Sequence, residues 1–269
     1  MEVIQECAKN FKALIDNNTQ YIYHVSLKQK VKVFTIDFQY ADFKHAIGLH
    51  YLTDLSVPKQ ASKTIPWIID EKKPITDEYL RKSVFYKGSS HDEKDIELRI
   101  SEAVYLEEYL DINNIVYIYS PKDFPRNNSI ISCDYIIKSY IKERNRTVYI
   151  FIKHRNGEDS PCVIKTFCVE KNTPYGGIYC FIMLKDKVVN GVRRRLFRHK
   201  KYTDEQIMAA ETNAMIAENN SKEQKEQEAA SLYEMIGVSL NDPVLNSHEE
   251  PDYVKPITII LSHNSHPLF

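Results

Sequence analysis

IISCDYIIKSYIKERNRTVYIFIKH, residues 130–154, reads as two strands joined by a polar turn, and that reading sets the fold class. β-Branched and aromatic residues dominate both arms, and Glu143-Arg144-Asn145-Arg146 between them has turn chemistry. Outward from there, IVYIYS at 115–120, VIKTFCVE at 163–170 and IYCFIMLK at 178–185 repeat the pattern, linked by PKDFPRNN, RNGEDSP and KNTPYGG. Five short strands on short links imply an antiparallel meander. Upstream the period changes. Val3, Ile4, Cys7, Phe11, Leu14 and Ile15 carry helical spacing over 3–16, and YIYHVSL (21–27) with VKVFTIDF (31–38) reads as a hairpin around Lys28-Gln29-Lys30. Helices are expected over 40–55, 64–71, 76–84 and 94–111. Helices first and sheet second is the α+β arrangement: N-terminal helices packed on an antiparallel β-sheet, with a helical C-terminal extension.

Charge divides the chain more sharply than hydropathy does. The net charge is -1, yet residues 1–202 hold 33 Lys and Arg against 25 Asp and Glu, while residues 203–269 hold 3 against 12. The expected organisation is a domain over 1–190, a basic linker over 191–202 containing RRRLFRHKK, and an acidic, mainly helical extension over 203–269. Thr203-x-x-Gln206 is a capping-box signal for the extension's first helix. VKPITIILS at 254–262 is expected as a late edge strand. A basic body attracts polyanions, and an acidic tail repels or imitates them, so the tail is also a candidate intramolecular inhibitor.

Several classes lose support. The apolar runs fall far short of the ~20 residues that span a bilayer, and MEVIQECAKN lacks a signal peptide's layout, so the expectation is a cytoplasmic protein without membrane contact. Five cysteines, odd in number and without a C-x-x-C pair, read as reduced structural thiols. No metal or other cofactor is expected. Walker, dinucleotide-binding, H-E-x-x-H and G-x-S-x-G motifs do not occur.

Chemistry-bearing residues gather in FTIDFQYADFKHAIGLHYLTDL, residues 34–55, where Lys44, His45 and His50 surround Gly48. His45 is expected to be half-buried beside apolar neighbours. On one continuous helix His50 stands about 140° from His45, which speaks against a shared metal. The motifs D-F-x-H-x-x-G-L (Asp42, Phe43, His45, Gly48, Leu49), E-x-R-I followed by L-E-E (Glu97, Arg99, Ile100, Leu106 to Glu108), Asp134-Tyr135, and K-T-F (Lys165 to Phe167) before Tyr175-Gly176-Gly177 together resemble one family. It is the fourth group of phage-associated barnase, EndoU, colicin and RelE-like nucleases, and the likeness covers roughly 1–189. One departure is visible: His45-Ala46-Ile47-Gly48-Leu49 stands where the family pattern is His-Leu-Thr-Gly-Leu.

The resemblance implies a metal-independent ribonuclease of a phage or mobile element. Its partners would be RNA, with transfer RNA a candidate, and an antitoxin or immunity protein. Such cleavage needs an acid or base, for which His45 is the candidate because imidazole serves both roles near neutral pH. Arg99 is the expected phosphate clamp, against the plainer reading of an ion pair with Asp95 or Glu102. Lys165 and Thr166 are strand neighbours, so alternation lets one of them face the site; Thr166 is favoured. Expected RNA contacts are Lys44, His50, Tyr135, Lys138, His154, Arg193, Arg194 and Arg195. The rival class is a non-catalytic module binding nucleic acid or a host protein, as a counter-defence or regulatory factor would.

Overall fold

The computed structural model describes residues 2–28, 30–87, 95–119, 131–170 and 175–235. Residues 1–222 form one compact unit and residues 223–269 a second. The fold is α+β. Helix α1 (Val3–Asp16) leads into the hairpin β1 (Gln20–Leu27) and β2 (Lys30–Ile36); α2 (Tyr40–Ala46), α3 (Thr64–Ile68), α4 (Asp77–Arg81), α5 (Ile96–Ala103) and α6 (Leu106–Asp111) follow. Then come β3 (Asn114–Ile118), β4 (Tyr135–Ile141), β5 (Arg146–His154), β6 (Cys162–Val169), β7 (Ile178–Val189), β8 (Val192–Arg198) and α7 (Asp204–Met235).

The strands run in the order β1-β2-β6-β5-β4-β3-β7-β8, and a further β1–β7 pairing closes a ring of seven. Strands β3 to β6 are the expected meander. The fifth strand, β7, leaves it and pairs with β3 and with β1, so long-range pairing decided what short links alone did not. Only Ile36↔Cys162 joins β2 to β6, and that bridge is parallel. Inward residues Tyr21, Tyr23, Phe34, Ile36, Ile137 and Ile150 share one core with Ile4 and Phe11 of α1, Phe43 of α2 and Ile100 of α5. Phe11 meets Phe43 edge-on at 5.2 Å.

Three sequence expectations change. The 40–55 helix stops at Ala46: Gly48 is left-handed (φ 80°) and a 3-10 turn covers Leu49–Tyr51. The 94–111 helix breaks around Val104 and Tyr105 into α5 and α6. Residues 192–198 are a strand, β8, rather than part of a linker. Asn190 and Gly191 take positive φ (50° and 79°) as a two-residue hairpin turn between Val189 and its partner Val192. That Asn-Gly pair is the strongest short hairpin signal a sequence carries, and the basic run beside it hid it. The capping box is present: Thr203 N donates to Gln206 Oε1 (3.0 Å) and Gln206 N to Thr203 Oγ1 (3.3 Å). The strand expected at 254–262 lies outside the described residues. No described helix is long and apolar enough to cross a membrane.

Candidate active site

Helix α2 is short, and its anchoring explains where His45 sits. Asp42 accepts from the backbone N–H of Gln39 at the helix start (2.8 Å) and from Arg155 Nη1 (2.7 Å), whose Nε also reaches Asp37 (2.7 Å). The motif aspartate is therefore structural: it ties the first turn of α2 to the end of the β5 hairpin, and His45 follows one turn later.

Past Ala46 the chain reverses at Gly48. The reversal brings His50 back onto His45, with ring centroids 4.7 Å apart, and seats Tyr51 against His50 at 4.0 Å. The separation expected on a continuous helix does not apply, because the helix has ended. Beneath the turn lies Arg99, 1% exposed, with its guanidinium carbon 5.9 Å from the Tyr51 ring centre. Arg99 Nη1 donates to Thr166 Oγ1 at 2.6 Å. A guanidinium accepts no hydrogen bond, so the Thr166 hydroxyl proton is directed to some other acceptor. Of the two carboxylates weighed as partners for Arg99, Glu102 is held by Arg144 and Tyr109, and Asp95 caps α5 through the Leu98 N–H.

Gly48 makes this packing fit. A Cβ there would lie 2.6 Å from Ile96 Cδ1 and 2.8 Å from Arg99 Nη1. Gly191 has nearly the same φ (79°) but open space around it. Gly48→Ala is therefore expected to cost about 1–3 kcal/mol in urea unfolding, and Gly191→Ala clearly less, since both carry backbone strain and only the first carries crowding. Equal losses would show that the close approach of Arg99 is not tight.

Strict alternation fails in β6. Ile164 pairs with Ile152 and Thr166 with Phe151, so Lys165 is an extra, bulged residue. Thr166 reaches Arg99, while exposed Lys165 is close enough to His45 to oppose its protonation. Thr166 therefore faces Arg99 and Lys165 faces His45. His45 keeps an edge in water while the rest of its ring is covered, in line with the expected partial burial. Cover on the rest of its ring, then Lys165 and Lys44, lowers its pKa against the pull of Asp42. Burial, then His45, pushes His50 down to about 4.

The other expected contacts lie elsewhere or are engaged. Lys44 donates to the Pro58 carbonyl at 2.6 Å. Tyr135 is 5% exposed and stacks on Phe34 at 4.3 Å, a core role. His154 meets the Tyr135 ring edge-on at 5.7 Å and lines a separate cleft of about 370 Å³ with Lys32, Lys153 and Glu158. Lys138 sits over the Tyr149 ring and 3.6 Å from Glu170. Arg193 and Arg195 both bind buried Asp186, Arg193 also binds Glu211 at 2.5 Å, and Arg194 reaches Asp111 at 3.2 Å. The arginine run is therefore matched by carboxylates. Glu211 belongs to α7, which packs over His24 on the sheet face opposite α2 and α5.

Sequence reasoning missed Tyr51, which no motif marks, and the bulge at Lys165, which local pattern does not encode. Among the described residues, no three His, Cys, Asp or Glu side chains gather as metal ligands would. A family model described as phage-Barnase-EndoU-ColicinE5/D-RelE like nuclease4 matches residues 3–207. Neither a curated protein nor a solved structure matches the chain.

Proposed function

Because the chain belongs to the phage-Barnase-EndoU-ColicinE5/D-RelE like nuclease4 family, we propose that it cuts RNA as a metal-independent endoribonuclease of a phage or mobile element. What supports this reading is that Arg99 of α5 bonds Thr166 of β6, its strand neighbour Lys165 lies near His45 of α2, and His50 lies near both His45 and Arg99. The ribose 2′-oxygen attacks the neighbouring phosphorus, the P–O5′ bond breaks, and the products are a 2′,3′-cyclic phosphate and a free 5′-hydroxyl. His45, with an edge in water, moves a proton at one of these oxygens. Lys165 on its bulge and the Thr166 hydroxyl meet the phosphorane oxygens. Arg99 acts from below. Buried at 1% exposure, it supplies fixed positive charge and holds Thr166 rather than gripping the phosphate from open solvent.

The test is incubation of purified protein with bulk RNA and transfer RNA in EDTA, with product ends identified. Cleavage leaving 2′,3′-cyclic phosphates is expected. His45→Gln should slow it by about 10²- to 10⁴-fold with little change in Tm, since the side chain is exposed. No cleavage, 3′-hydroxyl ends, or an equally fast variant would sink the proposal. The rival reading, a non-catalytic module for nucleic acid or a host protein, draws on the outer face of β7, where Phe181 is 63% exposed beside Tyr179. Under it, RNA or host-protein binding survives His45→Gln and fails in Phe181→Ala.

A further inference from the structure

We infer that His50 is a positioning residue for His45: its ring backs the His45 imidazole, so that one orientation is presented. The inference rests on the site proposed above and extends it. Four observations carry it. The His45 and His50 rings touch, with centroids 4.7 Å apart and planes tilted by 42°. Tyr51 also contacts the His50 ring, with centroids 4.0 Å apart. The left-handed turn at Gly48 creates this stack, and a side chain at that glycine would collide with Ile96 and Arg99. Finally, His50 Nδ1 is buried without a hydrogen-bond partner among the described residues.

Two rings in contact are too close for a phosphate to lie between them as it would between an acid and a base on opposite sides. Backing is what this geometry offers. Two imidazolium rings in contact also repel, so protonation of one disfavours protonation of the other. Burial first, and the surrounding charges after it, disfavour the proton on both rings. His45 faces Lys165 of β6 and Lys44 and Asp42 of its own helix, and has an edge in water. His50 faces His45, Lys44 and, from α5, Arg99; only the Lys44 carbonyl favours its protonated form. The site therefore holds one neutral imidazole that locks the other in place. A His45 ring free to rotate would spend less time aligned with a reacting oxygen, and misalignment of that kind costs rate more than affinity.

The experiment follows the ring C–H signals of both histidines through pH in the full chain without RNA, for wild type, His45→Gln, His50→Phe and His50→Ala. Steady-state cleavage of an RNA oligonucleotide against pH is measured in parallel. In wild type His50 is expected to titrate near 4. In His45→Gln its midpoint should rise, because the neighbouring charge is gone. In His50→Ala, water reaches the back of His45 and its midpoint should move up, carrying the acid limb of the rate profile with it. That variant should lose about 10- to 100-fold in kcat with KM within about twofold. His50→Phe, which restores a planar backing ring, should recover most of the loss and keep the His45 midpoint; a general loss of stability would not be rescued in this way. Two results would overturn the inference: a His50 midpoint unmoved in His45→Gln, or a His45 midpoint unmoved in His50→Ala. The titrations decide it even if the wild type cuts no RNA. If His45→Gln abolishes cleavage but the rings titrate independently, this inference falls and the proposed function stands.

Discussion

Replacing Arg99 with methionine is expected to lower RNA cleavage by at least about 10²-fold while leaving the protein folded. Arg99 is among the largest fully buried side chains, and a buried guanidinium is costly to desolvate. Methionine fills similar space without that cost, so the change in stability is small. The Thr166 hydroxyl loses its 2.6 Å donor, about 1–3 kcal/mol, against the relief of the buried charge. Cleavage has no such compensation. The variant removes the fixed positive charge beneath the site and frees Thr166 to rotate. It also removes one of the cations that keep His50 neutral, so the His50 midpoint should move up in the same protein. Circular dichroism and thermal melting check the fold, and single-turnover cleavage checks the rate. A variant that cuts within about threefold of wild type would take Arg99 out of the site.

Lys185→Met is expected to be the most destabilising single change away from the site, by roughly 2–4 kcal/mol. Lys185 is 2% exposed, and its ammonium donates to the carbonyls of Leu110 (2.8 Å), Asp111 (3.1 Å) and Ile112, and to Asn114 Oδ1 (2.9 Å). A cation thus closes the C-terminal end of α6, where helix carbonyls lack partners. Two effects oppose each other. Burial pushes the lysine from 10.5 down to about 8, a penalty of about 3 kcal/mol at neutral pH that methionine would relieve. Against it stand the carbonyls of Leu110, Asp111 and Ile112, which lose this donor at about 1–3 kcal/mol each, while Asn114 Oδ1 keeps the Tyr23 hydroxyl, and these losses win.

The pH dependence carries the sign. The folded pKa is below the unfolded one, so between about 8 and 10.5 the unfolded chain binds more protons and the Lys185 contribution to stability rises with pH. The penalty is full below 8 and gone above 10.5. The difference in urea unfolding free energy between wild type and Lys185→Met should therefore widen across that window. A constant difference would mean that the four acceptors hold the proton on Lys185.

Local chemistry made much of this legible in advance. Period-two runs gave β3 to β6, the capping box gave the start of α7, and D-F-x-H and K-T-F marked the segments that later met. The misreadings were of one kind. The apolar spacing over 40–55 predicts one helix, whereas left-handed Gly48 follows its end and folds His50 onto His45. Asn190-Gly191 forms a hairpin turn immediately before the arginine run, whose charge pattern alone predicts a linker. Tyr135 stacks on Phe34 and also lines the cleft beside His154, two surroundings that its motif does not distinguish.

By itself the sequence determined the α+β class, the family and the identity of the candidate acid or base, because patterning and short motifs are properties of neighbouring residues. Tertiary structure alone decided the closure of the sheet through β1 and β7, the bulge at Lys165 in β6, and the burial of Arg99 under Gly48. Each depends on which distant segment supplies the other half of a contact. Local residue preferences do not encode that choice; the packing of the whole core settles it.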